Sequence, residues 1–117
     1  MNIVITGATG AVGQTLARTL GAQGHQLILI ARDEAALEAL AGSLQNPCIK
    51  FAIDLLDAEA AEKCLQQAKE AFGNLDGLAH CVGSTLLKAL HQTSAAEWRE
   101  QMEINCGSAF NFLKPFI

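Results

Sequence analysis

The chain alternates between short runs that are apolar throughout and longer stretches in which apolar residues recur every three or four positions. The apolar runs read as strands of a parallel sheet covered on both faces, and the periodic stretches as amphipathic helices. Asn2 to Thr6, with Ile3, Val4 and Ile5 at its centre, predicts strand one. A helix from about Ala11 to Gln23 follows, with Val12, Leu16 and Leu20 on one face, and Gly21 and Gly24 turn the chain. Strand two is Leu27 to Ala31. The second helix spans about Glu34 to Leu44, with Leu37, Leu40 and Leu44 on one side, Asp33 as its cap and Asn46-Pro47 as its stop. Cys48 to Ile53 alternates, Ile49, Phe51 and Ile53 against Lys50 and Ala52, which suits a strand near a sheet edge. Helix three covers about Ala58 to Phe72, capped by Asp57, with Ala61, Leu65, Ala68 and Phe72 as its buried face and Gly73-Asn74 as its stop. Strand four is Leu75 to Val82, ending at Gly83-Ser84. A polar loop carrying His91 leads to Ser94, which forms a capping-box pattern with Glu97. The last helix runs from about Ala95 to Lys114, with Trp98, Met102, Cys106, Phe110 and Leu113 as its apolar stripe, and Pro115 breaks the pattern.

The order is therefore βαβαβαβα with short connections. Right-handed crossovers in a doubly wound arrangement place the four parallel strands in the order 3-2-1-4. This is an α/β, Rossmann-like sheet formed by one domain over residues 1–117. Strand four has no outer neighbour, and an open apolar edge invites association.

Composition narrows the classes. Half of the 117 residues are apolar and 17% are charged, so the chain is not disordered. A net charge of −4 argues against nucleic acid or an anionic membrane as partner. No stretch approaches the roughly 20 apolar residues of a membrane helix, and the cytoplasm is the default location. Cys48, Cys64, Cys81 and Cys106 are spaced 16, 17 and 25 residues apart, which fits neither a zinc site nor a redox pair. They read as small buried apolar residues of a reducing compartment, and no metal is expected.

The candidate chemistry lies in residues 2–13, NIVITGATGAVG, a strand followed by Gly7, Gly10 and Gly13 and then a helix. This is the layout of a dinucleotide-binding turn: glycines let the backbone approach a pyrophosphate, and the helix N-terminus meets its charge. Arg32, directly after strand two and 19 residues past Gly13, stands where a dinucleotide fold faces the adenosine ribose. An acid there binds the 2′-hydroxyl of NAD, whereas an arginine suits the 2′-phosphate of NADP; the alternative is an ordinary solvated arginine at a strand end. Asp54, at the carboxyl end of strand three, is either an acceptor for an adenine amino group or a turn carboxylate. His80 reads as a packed histidine inside strand four. Asn105, a polar residue in mid-helix, reads as a surface amide.

Together these residues resemble the N-terminal half of a short-chain dehydrogenase/reductase across essentially all of the chain. Thr6 to Gly13, TGATGAVG, resembles the family's TGxxxGxG turn, with Ala11 where the second glycine falls. Asp54-Leu55 resembles the acidic-apolar pair near the adenine. Residues 80–83, HCVG, resemble the family's NNAG, with His80 and Cys81 replacing the asparagines. MEINCGSAF resembles the stretch around the catalytic-site asparagine, which falls on Asn105.

The resemblance implies an oxidoreductase that moves hydride between NADP(H), preferred over NAD(H), and a carbonyl or alcohol. It assigns Gly7, Thr9, Gly10 and Val12 to the pyrophosphate and Arg32 to the 2′-phosphate. It assigns Asp54 and Leu55 to the adenine and Val82-Gly83 to the adjacent ribose; Ala11 and Cys81 complete the cofactor set, and Asn105 serves a proton-relay water. It also implies a homo-oligomer through the last helix, or a complementary chain covering strand four. The family's catalytic serine and Tyr-x-x-x-Lys pair fall beyond Ile117, and these residues include no tyrosine. Three functions stay open: the cofactor-binding half of a reductase, a non-catalytic NADP(H)-binding module with a partner, or a remnant without activity.

Overall fold

β1 (Asn2–Thr6) is the strand on which the sheet is assembled. In a computed structural model that describes all 117 residues, β1 pairs in parallel with β2 (Gln26–Ala31) on one side and β4 (Gly77–His80) on the other. β3 (Cys48–Ala52) adds to the outer side of β2, so the order is 3-2-1-4 as expected. Four helical segments alternate with the strands: α1 (Ala11–Ala22), α2 (Glu34–Gly42), α3 (Ala58–Phe72) and a last helix comprising α4 (Ala95–Met102), a π-turn (Glu103–Gly107) and α5 (Ser108–Phe116). No helix is long and apolar enough to cross a membrane.

The pleat divides the core into two layers. Val4, Ile28 and Ile30 face α3 and α5, where Ala61, Cys64, Leu65, Ala68 and Phe112 complete one cluster. Ile5, Leu27, Leu29 and Ala31 face α1 and α2, where Ala17, Leu37 and Leu40 complete the other. Each fully buried leucine, isoleucine or valine contributes about 1.5–3 kcal/mol of transfer free energy, which concentrates the stability on β1 and β2.

Sequence and structure differ in several places. On α1 the buried positions are Gly13, Ala17 and Gly21, while Val12 is 72% exposed. The close approach is at Gly13, where a Cβ would lie 2.8 Å from the Ala8 Cα, while Leu16 and Leu20 pack half-buried against the core beside Ala17. α2 stops at Gly42, short of Leu44, where Ser43 Oγ bonds the Leu40 carbonyl at 2.7 Å. β4 is half the expected length, although its ladder extends by the Asp76 N–H to Asn2 and the Cys81 N–H to Thr6, at 2.8 and 2.9 Å.

The last helix departs most. Its expected apolar stripe faces outward, with Trp98, Met102, Phe110 and Leu113 all exposed, and α4 buries none of its residues. Ser108 and Phe112 meet the sheet instead. Periodicity shows that a face is apolar, not what covers it. The helix also continues to Phe116: Pro115 falls in its last turn, where the missing N–H forfeits one bond, and Lys69 Nζ takes the Pro115 carbonyl at 3.0 Å. The cysteines divide too, since only Cys64 is buried, Cys48 and Cys81 are half-buried and Cys106 is exposed.

Gly7 and Gly24 both have positive φ, +67° and +86°, but only Gly7 is crowded; a Cβ there would lie 2.7 Å from the Cys81 carbonyl carbon. Gly7→Ala is expected to cost about 2–4 kcal/mol from strain plus overpacking. Gly24→Ala, with nothing within 4 Å, should cost only about 1 kcal/mol. Urea unfolding of the two variants measures the difference, and equal losses would show that the close approach carries no weight.

Candidate functional site

The carboxyl ends of β1, β2 and β4 open onto one cleft of about 530 Å³, a volume within the range of small-molecule sites. It lies where helices leave opposite sides of the sheet, the switch point at which open α/β sheets bind ligands. Nine of the residues singled out in the sequence line it: Gly7, Thr9, Gly10, Arg32, Asp54, Leu55, Cys81, Val82 and Gly83. Ala11, Val12 and Asn105 do not.

The glycine turn is packed from both sides. A Cβ on Gly7 would strike the Cys81 backbone, and one on Gly13 would lie 2.8 Å from the Ala8 Cα and strike the Gly7 carbonyl oxygen. The turn is thus pressed against the end of β4 while α1 starts directly on it. Gly10 stands at the N-cap of α1 and offers no side-chain acceptor, and the first turn holds no acid. Elsewhere the caps are filled: Asp33 accepts from the Ala36 N–H, Asp57 from the Ala60 N–H and Ser94 from the Glu97 N–H. The helix that begins at the cleft therefore presents orphan N–H groups and the positive end of its dipole.

Arg32 is exposed at the end of β2. The three ion pairs of the chain, Lys50–Glu38, Lys63–Glu59 and Lys88–Glu97, leave it out. Its neighbour Asp33 is committed to capping α2. Asp54 acts as a turn carboxylate, its Oδ1 accepting from the Leu56 N–H at 3.0 Å, while Leu55 is buried beside it.

Asn105 sits in the π-turn, beside the cleft rather than in it. Its Oδ1 accepts from the Ser84 N–H at 2.9 Å, and its Nδ2 donates to the Ser84 and Gln101 carbonyls at 3.0 and 2.9 Å. The amide thereby fastens the strand-four loop to the helix. It also lies within 3.3 Å of where a Cβ on Gly83 would stand. His80 is held between the Thr6 and Ser108 hydroxyls, and burial lowers its pKa below the usual histidine value. Burial likewise raises the Cys81 thiol, so it stays protonated in the cleft.

Ala31, Leu56, Ser84, Glu100, Ile104 and Ser108 also line the cleft, and the sequence reading assigned them no site role. Spacing, though not hydropathy, links three of them. Glu100, Ile104 and Ser108 follow at i, i+4 and i+8, on the side of the last helix away from the apolar stripe.

A model of the short chain dehydrogenase family matches residues 1–117. An uncharacterized oxidoreductase of Staphylococcus saprophyticus is 29% identical over 106 residues, covering 87% of this chain and 45% of its own. An alcohol dehydrogenase from Thermococcus sibiricus, solved with 5-hydroxy-NADP, superposes with TM-score 0.89 at 31% identity over 98% of this chain and 51% of its own. A putative dehydrogenase from Burkholderia cenocepacia with bound NADP gives 0.87 at 30% identity over 97% and 45%. The chain spans about half the length of the curated relatives it matches.

Asn105→Ala removes the fastening of Ser84. It should speed hydrogen exchange at the Ser84 amide by at least about tenfold, the equivalent of 1.4 kcal/mol, while amides of β1 and β2 keep their protection. Unchanged exchange at Ser84 would count against the clamp.

Proposed function

The chain belongs to the short-chain dehydrogenase family, and on that premise we propose that it is the NADP(H)-binding half of an oxidoreductase acting between a carbonyl and an alcohol. The observation that carries this reading is the pairing of α1's uncapped N-terminus with the unpaired Arg32 in one cleft. Both are donors for negative charge, and a ligand with a pyrophosphate and a 2′-phosphate supplies acceptors for both. The residues present therefore fit the cofactor. Two solved relatives at 31% and 30% identity hold 5-hydroxy-NADP and NADP.

In this reading Gly7, Thr9 and Gly10 bring the backbone against the pyrophosphate, with the amides of Ala11 and Val12 as donors at the helix start. Arg32 selects the 2′-phosphate. Leu55 offers an apolar wall to the adenine and Asp54 its second carboxylate oxygen, while Cys81, Val82 and Gly83 border the ribose. The bound cofactor supplies the hydride chemistry. Asn105 keeps the loop after β4 in register with the helix and holds a proton-relay water near it. The 117 residues contain no tyrosine, so the proton donor that the family resemblance assigns to one is not among them, and this stretch binds cofactor without turnover.

The bare β4 edge and the outward apolar stripe favour association with a second copy or with a complementary chain. Light scattering at concentrations on the order of tens of micromolar should show a species larger than the 12.4 kDa chain, and a monomer would count against this.

Calorimetric titration tests the cofactor. NADPH should bind more tightly than NADH, and Arg32→Ala should weaken NADPH about 10- to 100-fold, the equivalent of 1.4–2.8 kcal/mol, while leaving NADH within about twofold. Equal losses for both would remove Arg32 from the 2′-phosphate. No binding by the folded chain would overturn the reading in favour of a remnant.

A further inference from the structure

His80 stands at the seam of β1, β4 and α5. Its Nδ1 lies 2.7 Å from the Thr6 hydroxyl and its Nε2 3.1 Å from the Ser108 hydroxyl. Thr6 and Ser108 are fully buried, and the ring leans on Phe112 with centroids 6.2 Å apart at 39°. Ser108 has one hydroxyl proton and gives it to the Ile104 carbonyl. Toward His80 it can only accept, so Nε2 carries the ring proton. The neutral ring then has a lone pair at Nδ1, and the Thr6 hydroxyl donates to it. One tautomer of one charge state satisfies all three groups.

A second ring proton disturbs this arrangement. It would enter at Nδ1 and face the Thr6 oxygen. The Thr6 hydroxyl would have to reverse, and its own proton would point into a buried site with no other acceptor bonded to it. The two tied residues both belong to the cleft's frame: Thr6 leads into the glycine turn, and Ser108 lines the wall directly after the π-turn.

We propose that His80 is a positioning residue that makes the cleft pH-sensitive: the neutral imidazole ties β1 to α5, and the imidazolium releases the tie. The tie itself is independent of the cofactor; only its effect on NADPH rests on the function proposed above. The family resemblance puts an asparagine here, which can donate and accept but cannot ionise. The surrounding charges do not produce the same effect. β1 and β4 carry no charged side chain. Cys81, next in the chain, is held protonated by burial. Glu100, Glu103 and Lys114 of the last helix and Lys69 of α3 leave the ring's lowered pKa to burial alone. Because the folded value lies below the ordinary 6.5, the tie is complete above that pH and its contribution falls away as the pH drops below it, toward the lowered value.

The test uses the full chain labelled with ¹⁵N in the imidazoles of its three histidines. His80 should show the Nε2–H tautomer at pH 7.5 and titrate below the ordinary histidine value of 6.5. A second arm compares the chain with His80→Asn. Between pH 7.5 and 5.5 the melting temperature should fall further in the unsubstituted protein, and NADPH binding should weaken about fivefold more. The cofactor phosphate titrates alike in both, so that contribution cancels. An Nδ1–H tautomer, a His80 midpoint at or above 6.5, or identical pH losses in the two proteins would overturn the proposal. Absence of NADPH binding in both proteins at both pH values would instead overturn the cofactor reading, leaving the tautomer and melting arms to decide on His80. If His80→Asn does not fold, the tautomer and midpoint of the unsubstituted protein decide alone.

Discussion

The structure depends on a contact in which no side chain takes part: the backbone of Gly7 against the backbone of Cys81. A single methyl group at position 7 would collide with that carbonyl. The approach sets the spacing between the glycine turn and the end of β4, and so the width of the cleft. Gly13, in the first turn of α1, repeats the constraint and seats the helix on the glycine turn. Because α1 is held by this contact and by the small residues Ala17 and Gly21, its leucines Leu16 and Leu20 need only flank the core, half-buried, while Val12 faces outward. At the floor of the cleft, packing density is achieved by removing atoms.

Much of this was legible beforehand because it is local. Strand one, strand two and helix three could be read almost to the residue. Their signals, a continuous β-branched run or an Asp57 cap with a clean apolar face, are strong and short in range. The strand order follows from chirality once the elements are known. The glycine turn, Arg32, Asp54 and the end of strand four could be placed in one cleft because an open parallel sheet brings the carboxyl ends of its strands together.

The remainder depends on relations across the fold. Val12 has the spacing of a core residue, but of its row only Leu16 and Leu20 pack against the core, half-buried. Trp98, Met102, Phe110 and Leu113 form an apolar row that no element of this chain covers. Glu100, Ile104 and Ser108 mix charge, apolar bulk and hydroxyl, so hydropathy gives them no common signature although geometry puts them on one wall. Asn105 is a surface amide, as its position suggests. It is also a clamp, and nothing short of the three-dimensional path of Ser84 reveals that.

The outward stripe also determines what the chain emits under ultraviolet light. Trp98 is the single tryptophan, and more than half of it meets solvent on a helix segment that buries nothing. Its indole fluorescence therefore follows the wetting of that helix face rather than the integrity of the two core layers. Loss of the core need hardly alter its colour, whereas another polypeptide laid along the face would shift the emission toward the blue. The chain thus carries an intrinsic optical probe of its surroundings.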